Sequence, residues 1–250
     1  MVPAPRSPAG WGPALPRRVG HRARMDRRVI AAAIDRARGR GDPGLEILGR
    51  SPPVSGSVGV VAGSFDPMTV AHAALAEALG TDLTLLVWSP ATLPKEEGPG
   101  GDPSPGLLQP EDVLASVLAW CEQRPTARVA VCSHGLLADQ VEAAAESFPG
   151  ARLVLGMGSD KLLQLLDPGW YEDRDAVLER LFERAEVAAA PRAGHAMEVI
   201  AGRWYERIRT VRLPAALAEI SSRAVRERFR RGEDVSALVP PEILPFVRDG

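Results

Sequence analysis

From Val58 onward, six β-rich runs alternate with helical stretches, and this alternation constrains the fold more than anything else in the chain. The runs read "VGVVAG", "DLTLLVW", "ARVAVC", "ARLVLG", "AEVAAA" and "RTVRL". Between them lie "VAHAALAEAL", "PEDVLASVLAWCEQ", "LLADQVEAAAESF", "SDKLLQLL", "DAVLERLFERA" and "AMEVIAGRWYERI". Strands separated by helices build βαβ units, and βαβ units build a parallel sheet. The expected class is therefore α/β. The connections are mostly short, as within one domain. The exception, "SPATLPKEEGPGGDPSPGLLQPE", is dense in Pro and Gly, and long loops of this kind tend to carry function.

The boundaries follow composition. Residues 1–24, rich in Pro, Gly and Arg and without periodicity, read as a disordered arm. Residues 25–54 read as a helix over about 26–39 followed by a linker, and residues 55–250 as the α/β domain. The chain is formally −2, but residues 1–25 hold five Arg and no acid, so the remainder carries −7. A net acidic body excludes broad nucleic-acid binding and confines any polyanion to a local site. No apolar run is long enough to span a bilayer. Cys121 and Cys132 have no metal or redox spacing and read as two reduced, buried thiols, which fits a cytoplasmic location.

Local chemistry concentrates at "GSFDPMTVAH", residues 63–72. Gly63 and Ser64 end a strand and allow close backbone approach to a ligand. Asp66-Pro67 is turn chemistry. A helix starting near Thr69 or Val70 offers free N–H groups and a positive end to a phosphate. His72, in its first turn, can donate to phosphate oxygens as negative charge builds. The same residues also make an ordinary strand exit and turn, so this stretch alone leaves both readings open. A second helix start, "ISSRAVRERFRRG", offers Ser221 and Ser222 as caps, with Arg223 and Arg226 on its early face. It equally describes a capped, Arg-rich surface helix.

Together, the two stretches resemble the nucleotidyltransferase superfamily. "GSFDPMTVAH" is similar to its signature G-[SG]-F-[DN]-P followed by [HT]-x-x-H, with Ala71 where many members have Gly. "ISSRAVR" is similar to its late motif I-S-S-[TS]-x-x-[RK], with Arg223 in place of the usual Thr or Ser. "LVLGMGSDKLLQLLDPGWY" resembles the G-x-D segment and following aromatic of the nicotinamide and nicotinate mononucleotide adenylyltransferases. The resemblance, over about residues 55–248, implies a Rossmann-like parallel sheet with helices on both faces. It implies transfer of AMP from ATP to a mononucleotide 5′-phosphate, with Mg²⁺ accompanying the ATP and release of pyrophosphate, in NAD biosynthesis. It assigns ATP to Gly63, Ser64, Phe65, His72, Gly158, Asp160, Ser221, Ser222, Arg223 and Arg226, with Thr69, His72 and Arg226 at the reacting phosphates. It assigns the second substrate to Lys95 and to Trp170 or Tyr171. His134 reads as a surface histidine, with a substrate contact as the alternative, and His195 as a helix-capping histidine. A phosphopantetheine adenylyltransferase-like enzyme and a non-catalytic nucleotide-binding protein of the same fold stay open, because "SHGLLADQVEAAAESFPG" departs from the family's pyridine-site pattern. Partners are ATP and a small mononucleotide, with neither nucleic acid nor membrane; a homo-oligomer is compatible.

Overall fold

The computed structural model describes residues 26–49, 54, 56–91, 106–192 and 196–249. The arm at 1–24, Lys95 and His195 lie outside the described residues. Seven described strands form one sheet: β1 (Leu45–Leu48), β2 (Ser57–Ala62), β3 (Leu83–Trp88), β4 (Ala127–Cys132), β5 (Arg152–Gly158), β6 (Ala185–Ala190) and β7 (Ile208–Thr210). Their spatial order is β1-β4-β3-β2-β5-β6-β7. All neighbours run parallel except β1 and β4. Every residue of β2 and β3 is buried. Strands covered on both faces need apolar side chains at consecutive positions, and "VGVV" and "LTLLVW" supply them.

Helices cover both faces. One face carries α1 (Arg27–Arg38), α2 (Val70–Ala78), α3 (Pro110–Cys121), α8 (Ser222–Arg230) and α9 (Leu244–Asp249). The other carries α4 (Leu137–Ser147), α5 (Ser159–Leu166), α6 (Arg174–Arg184) and α7 (Met197–Ala201). In α1 the buried residues are Ile30, Ala33, Ile34 and Ala37, the spacing of a single helical stripe. Among the described residues no helix is long and apolar enough to cross a membrane.

Two expectations change. Residues 25–54 are more than a helix and linker: "LEIL" forms β1, antiparallel to β4, with Leu45 opposite Cys132. Four residues carry too little pattern to read as a strand; pairing with a distant partner decides their state. α1 shares its core with α3, so this segment packs as part of the sheet domain. The helix expected over 196–208 stops at Ala201, because Gly202 takes φ 51°, and residues 202–207 tighten into 3-10 turns.

The chain runs outward from β2 through β3 to β4, then returns to lay β5 on the other side of β2. That reversal opens a crevice at the carboxyl ends of β2 and β5, where open α/β sheets bind ligands.

Candidate active site

A cleft of about 600 Å³, partly open to solvent, occupies this crevice. His72, Gly158, Asp160, Lys161 and Arg192 form its polar end. Leu75, Ala190, Leu213 and Leu217 form an apolar wall.

His72 is held from both sides. Thr69 caps α2, its Oγ1 accepting from the His72 backbone N–H. In return, His72 Nδ1 accepts from the Thr69 backbone N–H at 3.1 Å and lies 2.9 Å from Thr69 Oγ1. A backbone N–H can only donate, so Nδ1 is unprotonated and the ring proton sits on Nε2. The buried Phe65 ring meets the imidazole edge-on at 5.3 Å. Burial, reinforced by Arg192, lowers the His72 pKa from 6.5 to about 4. His72 is therefore a neutral Nε2–H donor at the cleft.

The turn before α2 is tightly built. Phe65 adopts φ 48°, rare for a bulky residue, and its buried ring holds it there. A Cβ on Gly63 would stand 2.7 Å from that ring. Gly63→Ala is therefore expected to destabilise the protein by about 1–3 kcal/mol through overpacking. Thermal denaturation reads this as a lower Tm, and kcat falls with it as His72 loses its support. Ser64 is exposed on the same turn.

The late motif takes a different part from the one expected. Ser221 caps α8, accepting from the Ala224 N–H at 3.1 Å. Ser222 is buried and donates to the Pro67 carbonyl at 2.8 Å. Arg226, 5% exposed, donates through Nη1 to the Asp66 carbonyl at 2.6 Å, with the Asp66 carboxylate 3.8 Å away. Asp66 in turn accepts from the Leu107 and Leu108 N–H groups. Ser222 and Arg226 thus bracket the 66–67 turn rather than facing the cleft, because the two turn carbonyls lie directly over the start of α8. Thr69 is likewise fully buried and turned to His72, not to the cleft. Arg223 is half-exposed and ion-paired to Glu227 at 2.9 Å.

Two cationic residues that sequence reasoning missed line the cleft. Arg192 follows β6; its Nε donates to Asp160 Oδ1 at 2.8 Å and its Nη1 to the Ile220 carbonyl at 2.9 Å. Burial alone would raise the Asp160 carboxyl, but Arg192 and Lys161 hold it below the usual carboxylate range. A Cβ on Gly158 would fall 2.4 Å from Asp160 Oδ1, so any larger residue there would displace the Asp160 carboxylate. The signal was available: "APRAG" directly follows a parallel strand, and "SDK" opens a helix. Trp170 and Tyr171 do not line the cleft. They lie at a 3-10 turn over 168–170, between α5 and α6.

No family model matches the chain. A protein of Chromohalobacter salexigens named "Probable nicotinate-nucleotide adenylyltransferase" is 28% identical over 216 residues, covering 74% of this chain and 90% of the relative. One of the same name from Salinibacter ruber is 27% identical, covering 76% and 94%. Among solved structures, the Plasmodium falciparum nicotinic acid mononucleotide adenylyltransferase complexed with NaAD superposes with a TM-score of 0.53 at 13% identity, over 77% of this chain and 95% of that one. The same enzyme complexed with APC gives 0.53 at 14%, over 78% and 96%. The two signature stretches, the cleft they border and these likenesses agree: the chain is similar to curated nicotinate-nucleotide adenylyltransferases and shares the α/β fold of the solved nicotinic acid mononucleotide adenylyltransferases.

Proposed function

We propose that this chain transfers AMP from ATP to the 5′-phosphate of nicotinate or nicotinamide mononucleotide, releasing pyrophosphate, as a step of NAD biosynthesis. The observation that carries this reading is the neutral His72 fixed as an Nε2–H donor at a cleft whose cationic groups are Arg192 and Lys161, with Arg192 also paired to Asp160. The apolar wall suits a purine, and the polar end suits a polyphosphate. The acceptor phosphate attacks the α-phosphorus in line, so no enzyme nucleophile is required. His72 donates to the α-phosphate oxygens as their charge grows, and catalysis is positioning plus charge stabilisation. Asp160 accepts from a ribose hydroxyl on the same edge. Arg192 uses two of its five N–H donors on Asp160 and Ile220, which holds the guanidinium rigidly beside the phosphates. Ser221 and Arg223, at the start of α8, attend the departing pyrophosphate.

Mg²⁺ fits this site as a passenger on the nucleotide. Among the described residues no group of three His, Cys, Asp or Glu could hold a metal, and Asp160 is engaged by Arg192. A cation carried by phosphate oxygens and water needs no protein cage, and when bound it neutralises charge on the triphosphate.

Purified protein incubated with ATP, Mg²⁺ and each acceptor in turn tests the reading. Nicotinate mononucleotide, nicotinamide mononucleotide and phosphopantetheine form the panel, and pyrophosphate release is the readout. Release with a pyridine mononucleotide is expected. Release with phosphopantetheine alone, or ATP binding without turnover, overturns the reading. Arg192→Ala is expected to raise KM for ATP by roughly 10- to 100-fold, the loss of a charge-assisted phosphate contact.

A further inference from the structure

β1 is an edge of the sheet: it pairs with β4 and with no other described strand. The 3.1 Å hydrogen bond from the Ser133 N–H to the Gly44 carbonyl sets the phase of that pairing. In an antiparallel ladder, residues that bond to the neighbouring strand alternate with residues whose N–H and C=O both point away from it. Gly44 faces β4, so Glu46 and Leu48 face it too, opposite Val131 and Val129. Leu45 and Ile47 therefore turn their N–H and C=O groups outward. Among the described residues, none of these four groups has a hydrogen-bond partner.

We propose that β1 pairs with β1 of a second copy of this chain about a two-fold axis at Glu46, joining the two seven-stranded sheets into one. Antiparallel pairing centred on Glu46 sets Leu45 of each copy opposite Ile47 of the other. The N–H and C=O of each residue then meet the C=O and N–H of its counterpart, and every outward group of both edges is satisfied. The axis reverses the strands of one copy relative to the other. The two clefts therefore open on opposite edges of the joined sheet, and neither covers the other.

Side chains and charge favour a second copy over another strand. Leu45 and Ile47 lie on one face of β1, half-buried against the core cluster beneath α4. In the paired edge each meets an apolar counterpart directly across the ladder, which covers the half now open. Glu46, on the opposite face, is the one charged residue of β1. A charge on an edge strand ordinarily keeps other strands away. Here Arg36 neutralises it, donating through Nε and Nη2 at 3.1 and 3.0 Å. At the two-fold axis the two Glu46–Arg36 pairs stand side by side, so each carboxylate meets two guanidinium groups. An edge that carries both charges is complementary to itself. Four residues a side make a small interface, so one and two chains should exchange at micromolar concentration.

Sedimentation of the full chain across micromolar concentrations tests the proposal. The wild type is expected at twice the chain mass, falling toward one chain mass on dilution. The Ile47 N–H points outward, so Ile47→Pro removes it without breaking a bond to β4, and an edge strand accepts proline. Arg36→Glu leaves the strand backbone whole but brings acids together at the axis. Each variant should raise the dissociation constant roughly 10- to 100-fold, the loss of two contacts per pair of chains. The double variant Arg36→Glu, Glu46→Arg exchanges the charges and should return to the wild-type value. A wild type that stays at one chain mass, single variants that keep twice that mass, or a double variant that stays dissociated overturns the inference. Where Ile47→Pro lowers the Tm, Arg36→Glu and its charge exchange decide the outcome.

Discussion

His72→Ala is expected to lower kcat by about 10²- to 10³-fold, the range for loss of one hydrogen-bond donor aimed at developing charge. KM for ATP should change little, because Arg192 and Lys161 still flank the cleft. An unchanged kcat would remove His72 from the mechanism. The pH dependence separates this account from one in which His72 acts as a cation. With a pKa of about 4, His72 is neutral across the physiological range, so its contribution to kcat should be flat down to about pH 5. Below that the ring takes a proton on Nδ1, where the Thr69 N–H already points, and the cap opens. Stability follows the same sign. The unfolded ring binds a proton near 6.5 and the folded one only near 4. Between those values the unfolded state holds more protons, so stability is complete above 6.5 and falls as pH falls toward 4. The loss is at most about 3 kcal/mol. Acid titration of Tm should show a shallower slope in His72→Ala than in the wild type.

Arg226→Ala is expected to destabilise the ligand-free protein by about 3–5 kcal/mol, because it leaves a buried carbonyl and the Asp66 carboxylate without their cation. For a chain of this size that lowers Tm by roughly 6–20 °C. Arg226→Lys should recover little, since one ammonium cannot reproduce a guanidinium wedged under a turn. Differential scanning calorimetry without nucleotide is the decisive measurement. If Arg226 served only to grip phosphates, that Tm would not move and KM for ATP alone would rise.

The sheet and the motif-bearing turn were legible because their determinants are local. Period and composition mark "VGVV" and "TLLVW" as buried parallel strands. "GSFDPMTVAH" writes its strand exit, turn and cap in consecutive residues. The parts that were not legible depend on distant partners. Arg226 and Ser222 look like free phosphate ligands in sequence, yet each finds a backbone carbonyl more than 150 residues away. Arg192 looks like one arginine among many until β6 is placed beside β5. Thr69 reads as a hydroxyl for the ligand, and only the cap geometry shows it turned to His72. Trp170 and Tyr171 match a motif in spacing, but spacing does not say which side of α5 they reach.

The antiparallel strand at the edge of the sheet also bears on synthesis. Gly44 and Ser133 are 89 residues apart, and β1 finds its only described hydrogen-bonding strand in β4. At ordinary translation rates the ribosome needs roughly 5–20 seconds to cover that interval. Throughout it, "LEIL" has emerged without its hydrogen-bonding strand, and the apolar stripe of α1 waits for α3. An unpaired strand edge in that state is open to another nascent chain. The first described strand to be made is thus among the last to find its partner, and β4 closes that window when it emerges.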